Sequence, residues 1–314
     1  MIKTGDISVK GHSSLFIAYI IFGLSAPIGK SVMMHGGIDP FSLVFFRVAG
    51  AATLFWIASL FVPREKVRKK DLLLLLGASL FGAVINQLFF IQGLSRTSAI
   101  DVSLLATLGP IITMLVAAAY LKEPITFKKV LGVLVGASGV LLLVLFGMPV
   151  AKGESHTSGI LLCLTSSLFF AIYLTVFRDV VRRYSSITVM KWIFLYAAII
   201  CAPICYPKVS AIDYSALSAS TYWKIAFMVC CATFISYMLL PIGQKTLRPT
   251  VVSMYNYIQP IVSSGVAVSM RLDTFGWEKA VSAILVFVGV YIVTQSKSRA
   301  QVEAEKKCTF APNE

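Results

Sequence analysis

Residues 98–121 read SAIDVSLLATLGPIITMLVAAAYL, and Asp101 is their only charged residue. An apolar run of this length matches the roughly 20 residues that a helix needs to cross hydrocarbon. It far exceeds a barrel strand, and lipid admits only helices or closed barrels. Similar windows lie on either side. The expected spans are 13–34, 41–62, 72–93, 98–121, 127–147, 158–177, 187–206, 222–243, 249–270 and 279–296. Punctuation falls between them: Gly36-Gly37 and Asp39-Pro40, then Pro63 with the polar run Arg64 to Asp71, then Glu123-Pro124.

Composition agrees. The chain has 314 residues, 57% hydrophobic and 13% charged, with a mean hydropathy of +0.83. Soluble domains are about 45–50% apolar and about 25% charged. Cytosolic enzymes, nucleic-acid binders and disulfide-knit secreted domains are therefore set aside. Ten spans consume about 200 residues, which leaves no room for a separate soluble domain. The net charge of +14 would suggest nucleic acid on a soluble protein. No basic, aromatic-bearing soluble module exists here, so no nucleic-acid partner is expected. The run after the polar N-terminus is too long for a signal-peptide core and reads as a retained helix.

Lysine and arginine set the expected orientation. With ten spans, 19 of them fall on the side of both termini and five (Arg96, Lys152, Lys208, Arg271, Lys279) on the other. The positive-inside rule then places both termini in the cytoplasm of a plasma (inner) membrane protein. Cysteines 163, 201, 205, 230, 231 and 308 form no CxxC pair. No metal, redox site or cofactor is expected.

A repeat recurs at an offset of 150 residues. Gly93 matches Gly243, Ser103 matches Ser253, Pro110-Ile111 matches Pro260-Ile261, Glu123 matches Asp273, and Gly139-Val140 matches Gly289-Val290. Each copy holds five spans. Five is odd, so the second copy is inverted relative to the first, as alternating access favours. The expected fold is an all-α integral membrane protein of ten transmembrane helices in two inverted five-helix repeats. Its parts are an N-terminal tail (1–12), a first repeat (13–147), a linker (148–157), a second repeat (158–296) and a C-terminal tail (297–314).

The sequence resembles the EamA-type transporters of the drug/metabolite transporter superfamily over about residues 13–296. The first repeat carries Phe22-Gly23 through Lys30, Asp39-Pro40, Phe45-Phe46-Arg47, Gly93-Leu94-Ser95-Arg96-Thr97-Ser98-Ala99, Leu104-Leu105, Leu108-Gly109-Pro110, Leu121-Lys122-Glu123-Pro124 and Gly132 to Leu141. The second keeps Leu247-Arg248-Pro249-Thr250, Tyr257-Ile258-Gln259-Pro260 and Gly289-Val290, with Leu195 where Arg47 stands and Asp273 in place of Glu123. The resemblance implies ten helices around a central cavity, walled by spans one, three, four, six, eight and nine, that moves a small metabolite.

Candidate site residues follow from polarity at depth. Pro110 and Pro260 lie near the middle of their spans and free the carbonyls of Ala106 and Asn256. They read as hinges at the cavity or as packing kinks. Asn86, Gln87, Tyr173, Tyr237, Asn256, Tyr257 and Gln259 are the candidate substrate-binding polar groups, with helix–helix bonding as the alternative. Arg47 and Lys30 are placed to meet an anionic substrate, with snorkelling as the alternative for Lys30. A pocket of rings and amides suits an amino acid, a related metabolite or an amphipathic drug.

Asp101 reads as a capping-box residue three positions after Ser98, and Glu123 and Asp273 fall at span ends. A buried carboxylate for proton coupling is therefore not evident. Gly132 and Gly136 carry the close-packing spacing, for internal packing or for a dimer contact. His12, His35 and His156 fall in expected loops or tails, and neither HExxH nor a P-loop is present. The expected function is a secondary transporter, with efflux the favoured direction. A channel or an intramembrane enzyme is the competing reading. The partners are a small-molecule substrate and membrane lipids. Oligomeric state is not readable.

Overall fold

The computed structural model describes residues 4–121, 127–146, 156–246 and 255–294. Among these residues every regular element is helical. The first half holds α1 (Thr4–His35), α2 (Pro40–Ala58), α3 (Lys69–Ser79), α4 (Asn86–Arg96), α5 (Ala99–Ala106), α6 (Gly109–Leu121) and α7 (Phe127–Phe146). The second half holds α8 (His156–Val176), α9 (Arg178–Arg183), α10 (Ser186–Ser210), α11 (Ala219–Val229), α12 (Ser236–Thr246), α13 (Ile258–Ser269) and α14 (Trp277–Thr294).

Seven described stretches are long and apolar enough to cross a membrane: Lys10–His35, Pro40–Ala58, Lys69–Arg96, Ala99–Tyr120, His156–Val176, Ser186–Ser210 and Ala219–Gly243. They fall on the first four expected spans and on the sixth, seventh and eighth. The fifth and tenth windows hold α7 and α14. Part of the ninth, 249–254, lies outside the described residues, as do Glu123-Pro124, Leu247 to Thr250, the linker up to 155 and the C-terminal tail. The first helix begins at Thr4, well inside the expected tail, and runs through Gly11 without a proline between its polar start and the apolar run.

Local chemistry starts the helices where turns require it. The Asp39 carboxylate accepts from Phe41 N–H at 2.9 Å and Pro40 opens α2. Ser98 caps α5 by accepting from Asp101 N–H at 3.1 Å. Ser185 caps α10 and Ser218 caps α11 in the same way.

The two halves interlock. α1 packs against α12 and α13 of the second half, while α8 packs against α4 and α6 of the first. α2 lies along α10, and α7 along α14. The Gly93–Gly243 identity has its reason here. A Cβ on Gly93 would fall 2.9 Å from the Gly159 carbonyl of α8, and one on Gly243 would run into the Leu15 side chain of α1. Each half thus needs a glycine where the other half's first helix presses closest.

A second symmetry has no local sequence signal. The helix between α3 and α4 loosens into a π-turn at Leu80–Ile85, and that between α11 and α12 does so at Cys230–Ile235. The two turns are equal in length and 150 residues apart. π-turns widen the helix, leave backbone groups unpaired and are frequent at functional sites.

Contacts between turns define two faces. The upper face joins Lys208 to Asp39 at 3.7 Å, and Lys30 to the end of α4. The lower face joins Glu65 to Ser185 and Asp71 to the α9–α10 turn. Asp71 is buried. It accepts from Arg183 Nη1 at 2.9 Å and from the Tyr184 hydroxyl at 2.6 Å. Asp71→Asn replaces one of the two accepting oxygens of a buried side chain with an amide donor, so one of the bonds from Arg183 and Tyr184 is lost. It is expected to cost about 1–3 kcal/mol, read as a lower melting temperature of the purified protein. An unchanged melting temperature would show that this clamp contributes nothing.

Candidate functional site

Arg47 sits midway along α2 and is only 3% exposed. Its Nε donates to the Thr233 hydroxyl at 3.0 Å. Thr233 belongs to the second π-turn, and its own hydroxyl donates to the Met228 carbonyl, five residues back, at 2.8 Å. The last turn of α11 therefore supplies the acceptor that holds Thr233, in the π-turn, towards Arg47. Arg47 Nη1 is buried and has no hydrogen-bond partner among the described residues. No described Asp or Glu forms an ion pair with it. A buried charge left unpaired costs several kcal/mol, so the arrangement is one that an anion completes.

Tyr237 lies within electrostatic reach of this guanidinium. Its hydroxyl accepts from Gln87 Nε2 at 3.4 Å, and its ring meets Phe22 and Phe194 edge-on at 6.0 and 5.2 Å between centroids. Gln87 and Tyr237 are themselves 150 residues apart, each just past its π-turn. The equivalent positions of the two halves thus touch each other.

The other expected residues have varied settings. Asn86 donates to the Ser166 carbonyl and hydroxyl at 3.1 and 2.9 Å, and so stitches α4 to α8. Tyr173 is buried against Gly82 of the first π-turn and against Phe170. Asn256 accepts from Gln259 Nε2 at 2.9 Å, and its amide nitrogen would lie 3.7 Å from a Cβ on Gly109. The Tyr257 side chain lies outside the described residues. Lys30 does not snorkel. It is 2% exposed and donates to the carbonyls of Leu94 at 2.9 Å and Ser95 at 2.7 Å. It thereby neutralises the negative C-terminal end of α4.

The prolines sit at the starts of helices. The expected fourth span breaks at Thr107 and Leu108, whose N–H groups turn back to Leu104 and Leu105 at 3.1 and 3.0 Å. Pro110 is then the second residue of α6, where its missing N–H removes no helical bond. Pro260 stands in the first turn of α13, after a 3-10 turn at Tyr255–Tyr257.

Two groups of residues are not among the candidate site residues expected from sequence. Thr233 is one, since a lone hydroxyl in an apolar run carries no mark. The other is a buried cluster at the upper face, where Thr97, Ser98, Asp101, His156, Asp273 and Lys279 meet. His156 Nδ1 lies 2.9 Å from the Thr97 hydroxyl, and Lys279 pairs with Asp273. No group of three or more potential metal ligands is gathered among the described residues. A pocket of about 380 Å³ on the lower face is lined by Val62, Pro63, Glu65, Ser185, Met238 and Ile242 among others. None of these is an expected site residue.

The profile of the EamA-like transporter family matches residues 9–145 and again 157–295, so the chain belongs to that family of membrane transporters. It is 25% identical to the "Uncharacterized transporter YyaM" of Bacillus subtilis (strain 168), covering 89% of this chain and 93% of that protein. It is 22% identical to the "Uncharacterized inner membrane transporter YicL" of Salmonella typhimurium, covering 93% and 98%. "WAT1-related protein At1g68170" of Arabidopsis thaliana is 32% identical over 40% of this chain and 38% of its own. A solved crystal structure with 18% identity superposes with a TM-score of 0.60, over 93% of this chain and 98% of the other, and shares the fold.

Proposed function

We propose that the protein is a secondary carrier that exports a small carboxylate-bearing metabolite, such as an amino acid, across the inner membrane. Ten helices in two inverted five-helix repeats, 13–147 and 158–296, expose a midplane site to each side in turn. Both termini and the lower face are cytoplasmic. Arg47 pairs with the substrate carboxylate, and Tyr237 and Gln87 hydrogen-bond its polar groups. The rings of Phe22 and Phe194 flank its apolar part. The breaks before Pro110 and Pro260 act as hinges.

The observation that carries this reading is the buried Arg47 guanidinium, whose Nη1 is unpartnered beside a π-turn. Paired π-turns and interlocked halves support it, because they give two equivalent helix groups that can exchange conformations. Trans-stimulated counterflow in proteoliposomes tests it. Preloading with a mixture of unlabelled amino acids should accelerate uptake of labelled ones several-fold over empty vesicles. Flux that ignores preloading would mark a channel, and the carrier reading would fall.

A further inference from the structure

Two buried acids among the described residues, Asp71 and Asp101, and the part-buried Asp273 differ in how well they are satisfied. Asp71 has Arg183 and Tyr184 as donors. Asp273 has Lys279, and also accepts from the N–H groups of Thr274 at 2.8 Å and Ile100 at 3.4 Å. Asp101 is 1% exposed, yet its Oδ1 is buried with no hydrogen-bond partner among the described residues. Its Oδ2 accepts one long bond from the Thr97 hydroxyl at 3.5 Å and lies 3.8 Å from His156 Nε2. An ionised carboxylate offers about four lone-pair sites. One so poorly met is costly in a dry interior. Protonation removes the charge.

We propose that Asp101 is a proton-binding site, and that the proton it carries is the ion coupled to transport. The inference rests on the carrier reading above.

The charged and titratable groups around Asp101 come from every side. α1 brings Lys30, whose ammonium is held by the Leu94 and Ser95 carbonyls. The end of α4 brings Arg96, against Gly159. α8 brings His156 and Cys163, and the α13–α14 turn and α14 bring Asp273 and Lys279. Lys279 also reaches the Ser98 hydroxyl, at 3.4 Å, but its ion pair is with Asp273. Lys279 is thus already paired with another acid.

Access is the second requirement of a coupling site. The cluster joins the α4–α5 turn, the start of α8 and the start of α14, so it bridges both halves and seals Asp101 at the upper face. His156 is itself 5% exposed. At the lower face the start of α1 makes a similar contact, His12 Nδ1 to the Tyr255 hydroxyl at 2.6 Å, but an exposed one. Of these two contacts, the upper one is buried and the lower one exposed. Parting the upper turns brings water to Asp101. The O–H bond then exchanges its proton with that side, and closure carries the proton inward against outgoing substrate.

Infrared difference spectroscopy of the purified chain in lipid, between acidic and alkaline pH, reads the proton without a known substrate. A titrating C=O stretch of a buried protonated carboxyl, shifted in deuterated water, is expected. It should vanish in Asp101→Asn and persist in Asp213→Asn, which removes an exposed loop acid. In proteoliposomes without added solute, the transient current after a pH jump should fall at least several-fold in Asp101→Asn. A band and transient of wild-type size in folded Asp101→Asn would overturn the proposal, as would their absence from the wild type. Should Asp101→Asn fail to fold, Asp101→Glu carries the test. It must keep a titrating band at a changed frequency, and an unmoved band overturns the assignment. Counterflow of labelled amino acids at equal pH separates the two readings. Counterflow with no proton signal keeps the carrier and rejects the proton site.

Discussion

Arg47→Gln is expected to lower counterflow between about 30-fold and a few thousand-fold, the range set by losing one partner of a buried, hydrogen-bonded charge pair at about 2–5 kcal/mol. Stability should move little. The variant loses the bond from Nε to Thr233, but it also removes a buried charge whose Nη1 has no described partner. These two changes oppose each other, so the melting temperature should stay near that of the wild type. Arg47→Lys should recover only part of the transport, because a point charge lacks the fork that grips a carboxylate with two bonds. Counterflow and thermal unfolding, measured on the same preparation, decide the matter. Transport untouched by Arg47→Gln would sink the anion reading. Joint collapse of transport and melting temperature would make Arg47 a packing residue instead.

The apolar windows were legible because hydrocarbon imposes a length, and helices of about that length follow whatever the packing. The Ser98 cap and the Gly93–Gly243 identity were legible for a similar reason, since a cap is local and a glycine forced by close approach recurs wherever the approach does. Partners distant in sequence were not. Lys30 could be read as snorkelling because its distance from the span end was visible, while the Leu94 and Ser95 carbonyls that hold it were not. Asp101 was correctly seen as an N-terminal helix residue bonded to Ser98. That local reading hid its burial, which depends on α8 and α14 closing over it. His156 looked like a loop residue because the polar run before it ends there, and only the packing of α8 on α4 encloses it. The π-turns had no signal at all: Leu80–Ile85 and Cys230–Ile235 share only their final isoleucine, and the register slip is imposed by neighbours rather than by propensity.

Gly289→Val is expected to be the most damaging single substitution for the fold. A Cβ at Gly289 would lie 2.5 Å from the Gly136 nitrogen, 2.6 Å from the Gly132 carbonyl oxygen and 2.8 Å from the Gly136 Cα. All three are backbone atoms, so no side chain can rotate away and the helices themselves must separate. In lipid, helices are held together by van der Waals contact and hydrogen bonds rather than by exclusion of water. A widened interface is therefore not compensated. α7 and α14 also share the bond from the Ser282 hydroxyl to the Gly139 carbonyl at 2.7 Å, which separation would break. The combined loss should reach about 3 kcal/mol or more, seen as a markedly lower melting temperature and loss of a monodisperse elution peak. Gly265→Val is the control, because a Cβ there meets nothing within 4 Å and both readouts should stay near wild type. The same geometry decides between the two meanings of the Gly132–Gly136 spacing. Its groove is filled by Gly289 of the same chain, so Gly289→Val must act on the monomer's stability. An effect confined to oligomer size would instead assign the groove to a second copy.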